Sequence, residues 1–130
     1  MAKSSGLSQN FYLAGYDLSG DVGAINNCSS PRTVLDVTAI NKAAIERLMR
    51  LSDAQLEFAA WFNDASGQEH LALRGLPTAD VVVVWAMGTT LGDSAVGLVA
   101  KQVNYDGSRG QDGSLALTVS CLADGNALEW

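Results

Sequence analysis

Apolar and polar residues alternate with a period of two through much of this chain. In Ala95–Tyr105, Val96, Leu98 and Ala100 fall on one side; Gly97, Val99, Lys101, Val103 and Tyr105 fall on the other. In Leu115–Leu122, Leu115, Leu117, Val119 and Cys121 alternate with Ala116, Thr118, Ser120 and Leu122. This rhythm predicts β-strands with two distinct faces. Between them lies DGSRGQDG, whose Gly and Asp suit a chain reversal and predict a hairpin loop with Arg109 at its tip. In Asp53–Asn63, Leu56, Phe58, Ala60 and Phe62 share one face, and Gln55, Glu57, Ala59 and Trp61 the other, predicting another strand. Val81–Met87 (VVVVWAM) is a continuous apolar run, which predicts a strand buried on both faces. Asn10–Tyr16 and Thr33–Thr38 add shorter strands, and Ala127–Trp130 starts a last one after the turn ADGN.

Two segments change period. In Asn41–Leu51, Ala44, Ile45, Leu48 and Met49 fall at helical spacing with Asn41 as N-cap, which predicts a short helix packed on the sheet. An irregular turn over part of it is the other reading. Ser66 and Glu69 have capping-box spacing and predict a helix of about two turns, with Leu71, Ala72 and Leu76 inward and Gly75 then Pro77 at its end. Ser19–Arg32, rich in Gly, Asn and Ser, predicts a long connection with a short strand at Val22–Ile25. Met1–Gln9 reads as a flexible N-terminal arm, ahead of a single domain over residues 10–130. The fold class that follows is mainly β. It is an antiparallel β-sandwich or barrel of six to seven strands, with one or two short flanking α-helices.

Composition narrows the function. With 130 residues and 48% apolar side chains, the chain has enough material for one real core. A net charge of −6 disfavours nonspecific nucleic-acid binding and a polybasic membrane contact. No apolar run reaches the roughly 20 residues of a membrane span, and MAKSSGLSQ lacks the apolar core of a signal peptide. The expectation is a protein that folds in the cytoplasm without sequence-specific DNA binding or a membrane. Cys121 falls on an apolar strand face and reads as a core residue; Cys28 sits in the polar INNCSSP, and two cysteines are no disulfide framework.

Little announces catalysis. The sole histidine, His70, beside Glu69, reads as an exposed helical residue. Asp106 and Asp112 do not match a calcium-loop spacing, so they read as parts of a solvated loop. Asp17 and Asp21 read as turn formers. The expectation is therefore no enzyme, with no catalytic, cofactor-binding or metal residues. Trp61, on the less apolar face of its strand, either covers a helix or marks an interface. Apolar strands with few lysines to guard their edges suggest a subunit that completes its surface by association. The contact candidates are Phe11, Tyr12, Asn26, Asn27, Trp61 and Arg109.

The order of FYLAGYDLSGDVGAI, LDVTAINKAAIERL, DAQLEFAAWFND, EHLALRGLP and NYDGSRGQDGSLALTVSCLADGNALEW resembles tailed-bacteriophage virion proteins with the tail-tube fold. The likeness is greatest to small tail and decoration proteins of phages that infect actinobacteria. The resemblance implies a non-enzymatic, self-assembling virion subunit made in the host cytoplasm, whose hexameric rings stack around a DNA channel. It also implies other virion proteins as partners, and a long inter-ring loop for which Ser19–Arg32 is the expected segment. A capsid decoration or cement protein, trimeric in that case, or a minor tail protein on the same fold, is the alternative.

Overall fold

The computed structural model describes residues 5 and 7–130; most of the expected flexible arm at residues 1–9 falls outside or at the margin of these. Ten strands and one helix form among the described residues: β1 (Asn10–Leu13), β2 (Tyr16–Asp17), β3 (Val22–Ser29), β4 (Arg32–Asp36), β5 (Arg47–Ser52), β6 (Gln55–Trp61), α1 (Glu69–Leu73), β7 (Val81–Ala86), β8 (Ala95–Gln102), β9 (Asp106–Arg109) and β10 (Leu115–Ala123). One antiparallel sheet runs β2-β1-β7-β8-β10-β6-β3, with β9 added to the start of β10. β4 and β5 pair only with each other.

The period-two reading holds in the central strands. Leu56, Phe58 and Ala60 of β6, Val96, Leu98 and Ala100 of β8, and Val119 and Cys121 of β10 are all buried. The sheet curls until its two ends face each other, and the Phe11 and Phe58 rings meet at 4.7 Å between centroids. Leu18, from the turn after β2, and Leu73 of α1 plug the same core. The result is a β-sandwich with one apolar interior, in which a face of each layer is withdrawn from water. The β1–β2 reversal needs only Ala14 and Gly15, both at positive φ (51° and 86°), which matches a tight hairpin to strand twist.

Several expectations fail, each for a local reason. The helix at Asn41–Leu51 does not form; its second half is β5, paired to β4 as Val34↔Met49 and Leu35↔Leu48. Over so short a window the two periods overlap, and a helix this short is marginal by itself, whereas β4 offers a cross-strand ladder. Asn41 caps nothing. Thr38 closes the hairpin instead, donating from its hydroxyl to Asp36 Oδ1 (2.6 Å) and accepting from the Glu46 N–H (2.9 Å).

The long connection Ser19–Arg32 is largely β3. Its Gly and Asn are accommodated by register shifts between Val22 and Ala24 and between Ile25 and Asn27. Val82 is 53% exposed, so the valine run alternates and is not buried on both faces. Phe62, expected inward, lies past the end of β6 and is 44% exposed. Most of DGSRGQDG is strand β9 and the start of a tight turn. In that turn Asp112 Oδ1 accepts from the Ser114 N–H at 3.1 Å. Ala127–Trp130 contributes one bridge, Gly97↔Glu129.

Truncating Phe58 to Ala should cost about 3–5 kcal/mol, because it empties the centre of the core. Leu48→Ala on β5 should cost under about 0.5 kcal/mol, because that side chain is already in water. Urea unfolding of the unassembled chain measures both, and equal losses would mean that the β4–β5 hairpin is part of the core.

Candidate assembly surfaces

The feature that stands apart is the β4–β5 arm. β3 runs into β4 through Ser30 and Pro31, and β5 runs into β6 through Asp53 and Ala54, with the Asp53 N–H donating to the Pro31 carbonyl at 3.0 Å. The arm is thus the β3–β6 ribbon carried beyond the body. Every residue from 31 to 51 is exposed. Apolar side chains are included: Val34, Leu35, Ile45, Leu48 and Met49 stand in water, with Ile40 at the tip and Leu51 near the base. An apolar surface of this kind on one element makes it a candidate interaction site.

The arm also differs in charge. Residues 32–52 carry Arg32, Lys42, Arg47 and Arg50 against Asp36 and Glu46, a net of +2. The whole chain is −6, so the remainder carries −8. Lys42 pairs with Glu46 at 3.4 Å; Arg32, Arg47 and Arg50 have no ion-pair partner among the described residues. Asp36 stands opposite Arg47 in the register but accepts from Thr38 instead, and those hydrogen bonds hold its carboxyl below the usual range.

A second surface lies at the far end of β6. Trp61 is half exposed, with its indole over the backbone of Gly23; a Cβ there would sit 2.8 Å from Nε1, so only glycine lets the ring lie down. Nearby, Phe62 and Leu115 flank an open groove of about 390 Å³ on the β9–β10 hairpin, with Arg109 at its rim. Trp61 therefore covers β3, not a helix.

The sequence-nominated residues do not converge on one patch. Tyr12 is half-buried on β1, opposite Val84. Asn26 and Asn27 belong to strand β3 and not to a loop, with Asn26 exposed. Arg109 ends β9 opposite Leu115, rather than capping a loop. Phe11 is 3% exposed and packed on Phe58, so its ring is spent on the core. Trp85, partly buried against the core, donates its indole N–H to Gln9 Oε1 at 3.0 Å.

Sequence reasoning missed a polar knot around α1. The expected Ser66–Glu69 capping box is not made: Gln68 is the N-cap and makes no side-chain cap bond. Asp21, from the turn before β3, does the work, accepting from the Glu69 N–H at 3.2 Å and from Asn63 Nδ2 at 3.0 Å. The helix is a single turn, so Leu73 turns inward while Leu71 and Leu76 stay exposed.

Glu69 itself is fully buried. Its Oε2 accepts a long hydrogen bond from the Asn63 N–H (3.4 Å), and Oε1 has no partner within the protein. Burial pushes its carboxyl above the usual range, against the opposing pull of the nearby Tyr105 hydroxyl and the Asn63 N–H. Burial likewise raises the Tyr105 phenol, with the Glu69 carboxyl adding to the effect. The Tyr105 hydroxyl meets His70 Nδ1 at 3.0 Å, and the Phe62 ring packs tilted against the His70 ring with centroids 5.0 Å apart. His70 is thus half-buried and tied down, not a free surface residue. Asp21, Glu69 and His70 hold one helix onto the sandwich. Among the described residues no three His, Cys, Asp or Glu side chains are grouped to hold a metal ion. Cys28 and Cys121 are unpaired, and burial pushes the Cys121 thiol up to about 11.

No protein-family model matches the chain, and no curated protein matches it. Solved structures do. A chain in the virion of a native gene transfer agent particle is similar with a TM-score of 0.72 at 14% identity, over 98% of this chain and 100% of that one. A chain in the tail of an empty gene transfer agent particle, refined helically with C6 symmetry, is similar with a TM-score of 0.64 at 16% identity, over 99% and 98%. At such identities the likeness is one of fold, and it spans both chains end to end.

The buried Glu69 gives a pH dependence with a definite sign. Its carboxyl titrates higher in the folded chain than in the unfolded one, so the folded state retains the proton longer. Its contribution to stability is therefore full below the ordinary glutamate range and is lost as pH rises through the raised folded value. The urea midpoint of the wild type minus that of Glu69→Gln should fall over that interval and then level off. A difference that is flat with pH, or one that rises, contradicts the buried, proton-retaining state.

Proposed function

We propose that this chain is a non-enzymatic structural protein of a tailed-phage-type virion, a self-assembling subunit of the tail-tube type whose rings stack around a DNA channel. The observation that carries the reading is the β4–β5 arm: an exposed two-stranded ribbon, apolar and net positive, on a body that is net negative. A two-stranded hairpin is marginal by itself in water. An apolar arm that its own body leaves uncovered is supported by a neighbour. The fold shared with a chain in a C6 tail adds weight to a sixfold ring. Surplus negative charge on the body suits a wall past which DNA slides, because like charge keeps phosphate from sticking.

In this reading the arm takes the place of the inter-ring loop expected at Ser19–Arg32. Trp61, Arg109, Tyr12, Asn26 and Asn27 remain contact residues, and Phe11 does not. The non-enzymatic role is supported by the position of the titratable groups. Asp21 is spent on the Glu69 backbone N–H and Tyr105 on His70, around one helix turn, instead of converging with the buried Glu69 carboxyl on an open pocket.

Electron microscopy of the concentrated protein tests the proposal. Stacked sixfold rings or tubes are expected, and a chain with Pro31 joined to Asp53 by a short turn should stay monomeric. Small closed particles that bind empty capsid shells would replace the tube with the decoration or cement role. A wild-type chain that stays monomeric at high concentration would overturn self-assembly.

A further inference from the structure

Apolar side chains stand on both faces of the arm. Directly paired residues of an antiparallel ladder share a face, and neighbours along a strand point oppositely. The register therefore puts Arg32, Val34 and Asp36 on one face with their partners Ser52, Met49 and Arg47, a bulge between the first two pairs adding one residue to β5. Leu35, Leu48, Arg50 and, past the bulge, Leu51 lie on the other. Exposures match across the ribbon: Val34 50% and Met49 59% on the first face, Leu35 47% and Leu48 57% on the second. Both faces also carry arginines without an ion-pair partner among the described residues, Arg32 and Arg47 on the first and Arg50 on the second.

A ribbon laid on a single surface alternates, apolar toward the surface and polar toward water. Apolar side chains on both faces belong to strands covered on both sides. We infer that each arm is clamped between two further copies of this chain, one on each face, so that the repeating contact joins three chains. The inference rests on the self-assembly reading and specifies the partner of its arm. Charge selects the occupant: two faces that both expose apolar side chains and unneutralised arginine meet bodies that carry −8 apiece. Body-to-body contact would be repulsive, whereas arm-to-body contact is complementary. Such a contact is heterologous, using different patches on the two partners, and it propagates as a ring or a filament.

Two adjacent residues separate the faces. Val34→Arg and Leu35→Arg each place a charge on one face only, and neither touches the core. Both variants should keep the wild-type urea midpoint as monomers. Both should raise the concentration needed for assembly, followed by light scattering, at least tenfold. If one variant assembles as the wild type does, the arm lies on a single surface and the clamp is wrong; an arm-deleted chain that remains monomeric would still uphold self-assembly. If both variants and the arm-deleted chain all assemble normally, the clamp and the arm-based reading fall together. Failure of the wild type to assemble overturns both as well. Labelling supplies a second readout. In a Cys28→Ser background, the variants Val34→Cys and Leu35→Cys should both react with a water-soluble maleimide as monomers and both resist it in assembled particles. Labelling of either one in the particle overturns the clamp.

Discussion

Strand β6 is the member on which the rest of the fold depends. It is hydrogen-bonded on both flanks, to β10 through seven residue pairs and to β3 along nearly its whole length. Its inward residues Leu56, Phe58 and Ala60 are at most 2% exposed. Phe58 meets Phe11 across the interior, so the same strand joins its neighbours sideways and the opposite layer through the core. The interior that covers it stops at Ala54, but the ribbon does not. β5 and β4 carry the β6–β3 pair onward without a second layer. The arm exists because the ribbon outruns the core, and its apolar side chains have no counterpart in their own chain.

That mismatch explains what could be read from the sequence. β6, β8 and β10 were legible because one of their faces is fully buried and the other is not, which imprints alternation directly. The arm was not legible as an arm. Its apolar residues pack on no core of their own chain, so no inward and outward sides existed to impose a period. Leu48 and Met49, adjacent in sequence and on opposite faces, fit a helical stripe as readily as a ribbon. β3 was obscured by Gly23, Asn26 and Asn27, which disfavour strands in isolation but are tolerated where register shifts and a strong partner hold the edge. The valine run of β7 gave the strand, but its outer face is open where two covered faces were expected.

The site residues divide in the same way. Trp61 and Arg109 could be nominated because an aromatic on a polar face and a cation beside a turn are visible in one dimension, and both side chains stand exposed. Glu69 was missed because its burial depends on Asp21 and Asn63, residues 48 and 6 positions away, meeting it in space. Local spacing offered a capping box with Ser66, and the tertiary partner won. A carboxyl at a helix start with a nearby serine carries no signal that separates the two outcomes. The structures with similar folds share the whole architecture at 14% and 16% identity. The layered body is therefore compatible with very different side chains.

The central claim is that the body is complete in itself and the arm is completed only by neighbours. Amide hydrogen exchange tests it most directly, because protection reports local opening free energy element by element. In the monomer, arm amides at residues 33–51 should exchange almost freely while those of β6 and β10 are protected; in assembled particles the arm should become protected as well. Arm amides as slow as those of β6 in a verified monomer, or still fast in the assembly, would contradict the account.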